Sequence, residues 1–373
     1  MRVLVAPDKF KGTLTARTAA MAIAHGWRRA CPDDELELLP ISDGGDGFGS
    51  VLATLQSARP AKTVTVDAAG RRCVVSWWWN VASRTAIIES ARVIGLAMLP
   101  RGKFHPFDLD TRGLAVLLRA AASRGARRCL VGIGGSATND GGYGLACGLG
   151  WKFWDRQGRH IGQWTDLTGL ARIERPQERS WPGRIVVAVD VQNRLLGRHG
   201  CTRVYGPQKG LQPGDFAKAE AALRRLAKVV GEELGDDFAP KPGAGAAGGL
   251  GFGLAAFTGA SLKPGFDLVA DAARLDAKIR RADLVITGEG RIDRSTLMGK
   301  GVGELAARCR KFEVPCLALA GCLADRKVLA KHFSLVAALT ELTSPERAQA
   351  DAKYWLGKLA AVAASRCLAP AES

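Results

Sequence analysis

Five polar loops carry most of the chemically capable side chains of this sequence, and each follows a short apolar run. The richest is Leu130–Gly150, LVGIGGSATNDGGYGLACGLG. Its apolar run stops at Gly134 and Gly135, and Ser136, Thr138, Asn139 and Asp140 follow before a second glycine pair, Gly141 and Gly142. Glycines admit positive φ and let main-chain N–H groups approach a ligand, so a strand, such a loop and a helix start together suit an anion. The hydroxyls and the amide add donors, and Asp140 adds a carboxylate able to hold a metal. The plainer reading is a glycine-rich turn with a polar helix cap. The chain has no GxxxxGK[ST], so this is not a P-loop.

The other four loops bring charge. Ala6–Gly12 carries Asp8, Lys9 and Lys11: a carboxylate to accept a proton or bind a divalent cation, and two ammonium groups to neutralise phosphate or carboxylate. SDGGDG sets Asp43 and Asp46 among glycines, a pattern suited to a metal or a substrate hydroxyl. Asp190 ends the very apolar run Arg184–Val189. Buried carboxylates cost free energy unless paired, so this acid reads as catalytic or metal-binding rather than as packing. Downstream, GPQKG sets Lys209 between glycines in what reads as a tight loop. The fifth loop, TGEGRID, offers Glu289 and Asp293 for a metal or hydroxyl and Arg291 for an anion, with Thr296 and Lys300 just beyond.

The elements that must position these loops alternate at both ends of the chain. Val3–Ala6 and Glu35–Leu39 read as strands around a helix over Thr15–Ala30. Residues 283–287, 315–320 and 335–340 read as strands around a helix over Gly301–Lys311, and Ser344–Pro345 makes an N-cap and first turn for the last helix. The middle differs: residues 62–67, 73–79 and 85–89 are β-rich runs in close succession, which suggests antiparallel pairing. Helix and strand return over Thr111–Arg124 and Arg128–Ile133, and Asp215–Leu234 is amphipathic. The expected fold is therefore α/β in two domains. Residues 1–60 with 283–373 form a parallel-sheet domain from both chain ends, residues 61–282 form an inserted mixed α/β domain, and the active-site cleft lies between them. Ligands of open α/β sheets bind at the carboxyl ends of strands, where these loops sit.

Composition narrows the class. With 373 residues, 47% hydrophobic and 24% charged, the chain can build two folded cores. No run makes a convincing membrane span, because the least charged stretch, Gly243–Leu262, holds seven glycines. Nine cysteines without a CxxC pair point to reduced thiols and a cytoplasmic setting, and five histidines without finger spacing argue against structural zinc. The net charge of +17 suits anionic substrates; its arginines are spread over helix faces, which argues against a nucleic-acid partner. Gly243–Gly248 fits GxGxxG, but no strand leads into it, so it reads as a decoy for a dinucleotide fingerprint. Trp77, Trp78 and Trp79 read as sheet packing.

Taken in order, APDKFKGTLTA, PISDGGDGF, GIGGSATNDGGYG, YGPQKG, PGAGAAGGLGFG and ITGEGRID resemble the bacterial glycerate kinase family of the glycerate 2-kinase type, over nearly the whole chain. The resemblance implies phosphorylation of D-glycerate by ATP with Mg²⁺ to 2-phosphoglycerate, and two α/β domains of which one is Rossmann- or flavodoxin-like. Three positions depart from the family pattern: Arg194 follows Asn193 where proline is usual, Ser295 stands where glutamine is usual, and Lys9 stands where serine is frequent. On this reading Asp190, with Lys11 and Asp8, forms the catalytic set, and Asp190 is the base orienting the hydroxyl. Gly134, Gly135, Ser136, Thr138 and Asn139 meet phosphate or the glycerate carboxylate. Asp43, Asp46, Lys209, Glu289 and Arg291 bind substrate, and Asp43 and Asp293 hold the metal. Phosphorylation of the 3-hydroxyl, or of a related hydroxy acid, is the first alternative, and a dinucleotide-dependent oxidoreductase a distant one. The expected oligomeric state is monomer or homodimer.

Overall fold

The computed structural model describes residues 1–45, 47–297 and 301–368. Asp46 and Lys300 therefore lie outside the described residues. The strands, in chain order, are β1 (Arg2–Val5), β2 (Glu35–Leu38), β3 (Arg59–Val66), β4 (Arg72–Asn80), β5 (Thr85–Glu89), β6 (Arg128–Gly132) and β7 (Lys152–Asp155). They continue with β8 (Leu170–Glu174), β9 (Arg184–Val189), β10 (Ser261–Pro264), β11 (Leu284–Ile292), β12 (Cys316–Leu323) and β13 (Leu335–Ala338). The chain forms two compact units, one from Met1–Asp43 with the described residues from Phe266 on, the other Gly44–Gly265. The breaks fall at 43/44 and 265/266, where the sequence reading set them at 60/61 and 282/283.

The first unit holds an all-parallel sheet of order β13-β12-β11-β1-β2. Val3, Val5, Ile286, Leu317 and Leu319 are buried in its core with Ile23 and Trp27. Parallel strands that bury both faces read as unbroken apolar runs, which is why β1, β11 and β12 were legible. β2 lies at the edge and keeps Glu35 exposed. The helix Ala16–Ala30 begins where expected because the Thr15 hydroxyl accepts the Thr18 N–H at 3.1 Å. It packs on Ala352–Leu368 so closely that a Cβ at Gly26 would lie 1.9 Å from the Gly357 carbonyl oxygen.

The second unit holds a six-stranded mixed sheet of order β10-β9-β6-β5-β4-β3. The first four are parallel neighbours, and β4 pairs antiparallel with both β5 and β3. The three β-rich runs of the sequence are β3, β4 and β5. The short β10 and the β7–β8 hairpin carry too few alternating residues to be read in advance. Trp77 is wholly buried, with its indole N–H on the Thr63 hydroxyl at 2.9 Å, so the packing reading holds for it.

Two readings need correction here. Thr287–Asp293 is not simply a loop after a strand: β11 runs on to Ile292, pairing Glu289 with Ala320 and Arg291 with Cys322 of β12. Two glycines and two charges, Glu289 and Arg291, masked a strand whose ladder the neighbour completes. Lys209 is not in a loop either, but in the last turn of the helix Cys201–Lys209, which Gly210 ends at φ 110°. The GxGxxG stretch has no strand before it, and its Ala247, Gly248 and Gly249 all take positive φ within Ala246–Thr258.

Candidate active site

In the first unit the loops at the carboxyl ends of three neighbouring strands, β11, β1 and β2, meet because main-chain pairing runs on past the ladders. Asp8 N–H donates to the Gly288 carbonyl at 2.8 Å, and Ile41 N–H to the Pro7 carbonyl at 3.0 Å. Asp8 is buried, and burial followed by the charge of Asp43 raises its carboxyl to a pKa of about 8, with Glu289 adding to the effect; the Lys9 N–H on Oδ1, at 2.6 Å, pulls the other way. Glu289 accepts from the Thr296 hydroxyl at 2.8 Å. Asp293 accepts from the hydroxyl and N–H of Ser295, at 2.6 and 2.8 Å, and lies 3.1 Å from Arg291 Nε. Those bonds, the Ser295 hydroxyl first, hold its carboxyl below the usual range. Ser295, a departure from the family pattern, thus serves as the clasp on Asp293. Lys11 and Arg291 are exposed. The structure brings Asp8, Asp43 and Glu289 together, with Arg291 and Asp293 at the rim.

In the second unit the loops after the parallel neighbours β6 and β9 share one sheet edge. The β6 loop is fixed from several sides. Ser136 Oγ donates to the Ala247 carbonyl at 3.2 Å and accepts the Thr138 N–H at 3.1 Å. Asn139 Nδ2 donates to the Thr202 hydroxyl at 3.1 Å, and its side-chain Oδ1 is buried without a hydrogen-bond partner. Lys209 Nζ donates to the Thr138 carbonyl at 2.6 Å. Lys209 is buried, which lowers its pKa to about 8. Gly248 is required here: a Cβ would fall 1.9 Å from the Thr138 carbonyl oxygen, and its φ is 70°.

Asp140 is not a metal ligand in waiting. Fully buried, it accepts from Thr111 N–H at 2.9 Å, the Thr111 hydroxyl at 2.7 Å, Gly144 N–H at 2.9 Å and Gly142 N–H at 3.2 Å. The anion at the start of the helix Tyr143–Gly148 is therefore the protein's own carboxylate. Burial, then the charge of Asp110, raises its pKa to about 6. Ala137 and Gly141 also spend their N–H groups internally, on Ile94 and Gly248 carbonyls. The buried Ser136 and Thr138 spend their hydroxyls within the fold, on the Ala247 carbonyl and on each other, and Gly134 and Gly135 are the more accessible residues of the loop.

Asp190 follows β9 directly but is exposed, so the expected cost of burial is not what marks it out. Beside it Tyr205, whose hydroxyl donates to Asn193 Oδ1 at 2.6 Å, has a pKa raised to about 12 by burial and then by the Asp190 charge. Sequence reasoning missed Tyr205, Thr202 and Thr111, whose neighbours are distant in the chain. It also missed Glu89, which closes the apolar run of β5 as Asp190 closes that of β9. That acid is buried, accepts the Gly47 N–H at 2.7 Å and pairs with Arg92 at 3.2 Å.

A sequence profile of the glycerate kinase family matches residues 3–368. The chain is 40% identical over 326 residues to a glycerate kinase of Halalkalibacterium halodurans, covering 86% of this chain and 85% of that one. It is 37% identical over 354 residues to the glycerate 2-kinase of Escherichia coli, covering 92% and 91%. A crystal structure of a protein described as glycerate kinase 2 from Salmonella typhimurium LT2 superposes with a TM-score of 0.85 at 34% identity, over 99% of this chain and 98% of that one. An α/β fold with anion-suited loops at strand carboxyl ends, and relatives of this kind, define a phosphotransferase acting on a small molecule. The chain belongs to the glycerate kinase family. The dinucleotide-dependent oxidoreductase alternative falls with that assignment.

Proposed function

We propose that this enzyme transfers the γ-phosphoryl group of ATP to the 2-hydroxyl of D-glycerate, giving 2-phosphoglycerate. The observation that carries the reading is a carboxylate, Asp190, at the end of β9 next to the anion-suited loop of the adjacent strand β6. Phosphoryl transfer is mostly positioning and charge neutralisation, and this pairing supplies a proton acceptor beside an anion cradle. Asp190 accepts the hydroxyl proton and orients the oxygen for attack. The main-chain N–H groups of Gly134 and Gly135 donate to phosphate or to the glycerate carboxylate, Ser136 and Thr138 hold the loop through the Ala247 carbonyl and Asn139 through Thr202, and the Lys209 ammonium beneath the loop adds positive charge. Lys11 and Arg291, both exposed, neutralise anionic groups of the substrates, and Glu289 and Asp8 supply acceptors for a substrate hydroxyl.

The donor set also fits Mg²⁺. This cation is usually held by one or two carboxylates, with water and substrate phosphates completing the shell. The described residues hold no cluster of three or more His, Cys, Asp or Glu arranged for a metal, and Asp8 beside Asp43 is a like-charge pair that a cation relieves. Asp43, one half of that like-charge pair, is the ligand we assign first, with Asp293, held by Arg291 and Ser295, second. When bound, Mg²⁺ neutralises charge on the phosphate oxygens.

The test is ³¹P NMR of the products from ATP, Mg²⁺ and D-glycerate. The resonance of 2-phosphoglycerate is expected. 3-Phosphoglycerate moves the reaction to the other hydroxyl, and an unchanged ATP spectrum overturns the reading.

A further inference from the structure

One cavity lies where the far part of the segment after β9, beyond Asn193, meets the long helix Phe216–Leu234 of the second unit. It measures about 410 Å³ and is lined by Gly197, Arg198, Arg203, Glu220, Arg224 and small side chains of the same helix. Its charge is lopsided: three arginines, all exposed, surround a single acid. That acid is also unusual. Glu220 is buried, with only 6% of its surface exposed. One carboxylate oxygen accepts the Gly197 N–H at 3.3 Å and stands 3.9 Å from the Arg224 guanidinium, a distance that leaves the guanidinium donors largely uncommitted. The other, Oε1, is buried with no hydrogen-bond partner. Buried acceptors in folded proteins are nearly always satisfied, so an orphan of this kind marks a place where a partner belongs.

Arginine clusters suit phosphate because the planar guanidinium offers paired N–H donors. The dianion of a simple alkyl phosphate such as methyl phosphate satisfies the three arginines but brings no donor for Glu220. A phosphate monoester with a free hydroxyl satisfies both. We propose that this cavity is a second, non-catalytic binding site for a small phosphate monoester bearing a free hydroxyl, held by Arg198, Arg203 and Arg224 and read through its hydroxyl by Glu220. None of these four residues belongs to the proposed catalytic set, so the site stands whether or not the reaction assigned above is right.

Isothermal titration of the full-length protein with glycerol 3-phosphate, and separately with methyl phosphate, tests it. Glycerol 3-phosphate should bind about fivefold tighter, the worth of one hydrogen bond. Arg224→Ala should weaken glycerol 3-phosphate about tenfold while leaving glycerate turnover unchanged. Glu220→Gln should erase the preference for the hydroxylated ligand. Because Glu220 also holds the Gly197 N–H, its circular dichroism and melting temperature are checked first, and if it does not fold the Arg224→Ala result decides. Equal binding of the two ligands to the native protein, no binding, or binding untouched by Arg224→Ala overturns the proposal.

Discussion

The Lys209 ammonium donates to the main-chain carbonyl of Thr138 at 2.6 Å, joining the last turn of one helix to the centre of the glycine-rich loop. A lysine so placed fixes the loop, and on the proposed function it also holds a positive charge beneath the bound anion. Lys209→Met keeps the stem but loses both, and should lower kcat/KM for glycerate by about tenfold or more, the worth of one charge-assisted bond. Steady-state kinetics reads this directly.

The same lysine gives a pH signature. Burial lowers its pKa to about 8 in the folded protein, against 10.5 as the ordinary value. Between those values the unfolded chain binds the extra proton, so this residue makes stability rise as pH rises through that window. The melting-temperature difference, native minus Lys209→Met, should therefore grow from pH 8 to pH 10. A difference that stays flat or shrinks contradicts the assignment.

Asp140 is expected to matter for the fold rather than for chemistry. Asp140→Ala strips the acceptor from two Thr111 donors and the N–H groups of Gly142 and Gly144. Buried donors left unsatisfied should cost about 3 kcal/mol or more in urea unfolding. Metal affinity should change only as far as stability does.

Asp190 shows the opposite profile. It is exposed, so Asp190→Asn should leave the melting temperature within error. If it is the base, kcat falls by about 100-fold or more. Near-normal turnover moves the base elsewhere, with Glu89 and Asp8 the next acids to test.

Gly26→Ala probes packing far from these loops. The new methyl meets the Gly357 carbonyl oxygen at 1.9 Å, forcing the first helix and the last apart. Overpacking of this kind costs about 1–3 kcal/mol, which a thermal melt detects, with KM for glycerate unchanged.

Much of this protein was legible in its residue order. Apolar runs bounded by glycine and charge marked β1, β6, β9 and β12, because a strand buried on both faces must be apolar throughout. Ser344 marked a helix start, because an N-cap is a local contact. The six ordered motifs marked the family. Tertiary structure alone decided which groups are buried and how they are held. Asp140 and Asp190 both follow apolar runs, yet one is enclosed by four donors and the other faces solvent. Lys209 looked like a loop cation and is a buried brace under Thr138. β11 looked finished at Thr287, and β12 supplied the partners that carry it to Ile292. Burial and hydrogen bonding are set by residues distant along the chain, such as Thr111 for Asp140 and Thr202 for Asn139, and no local pattern records them.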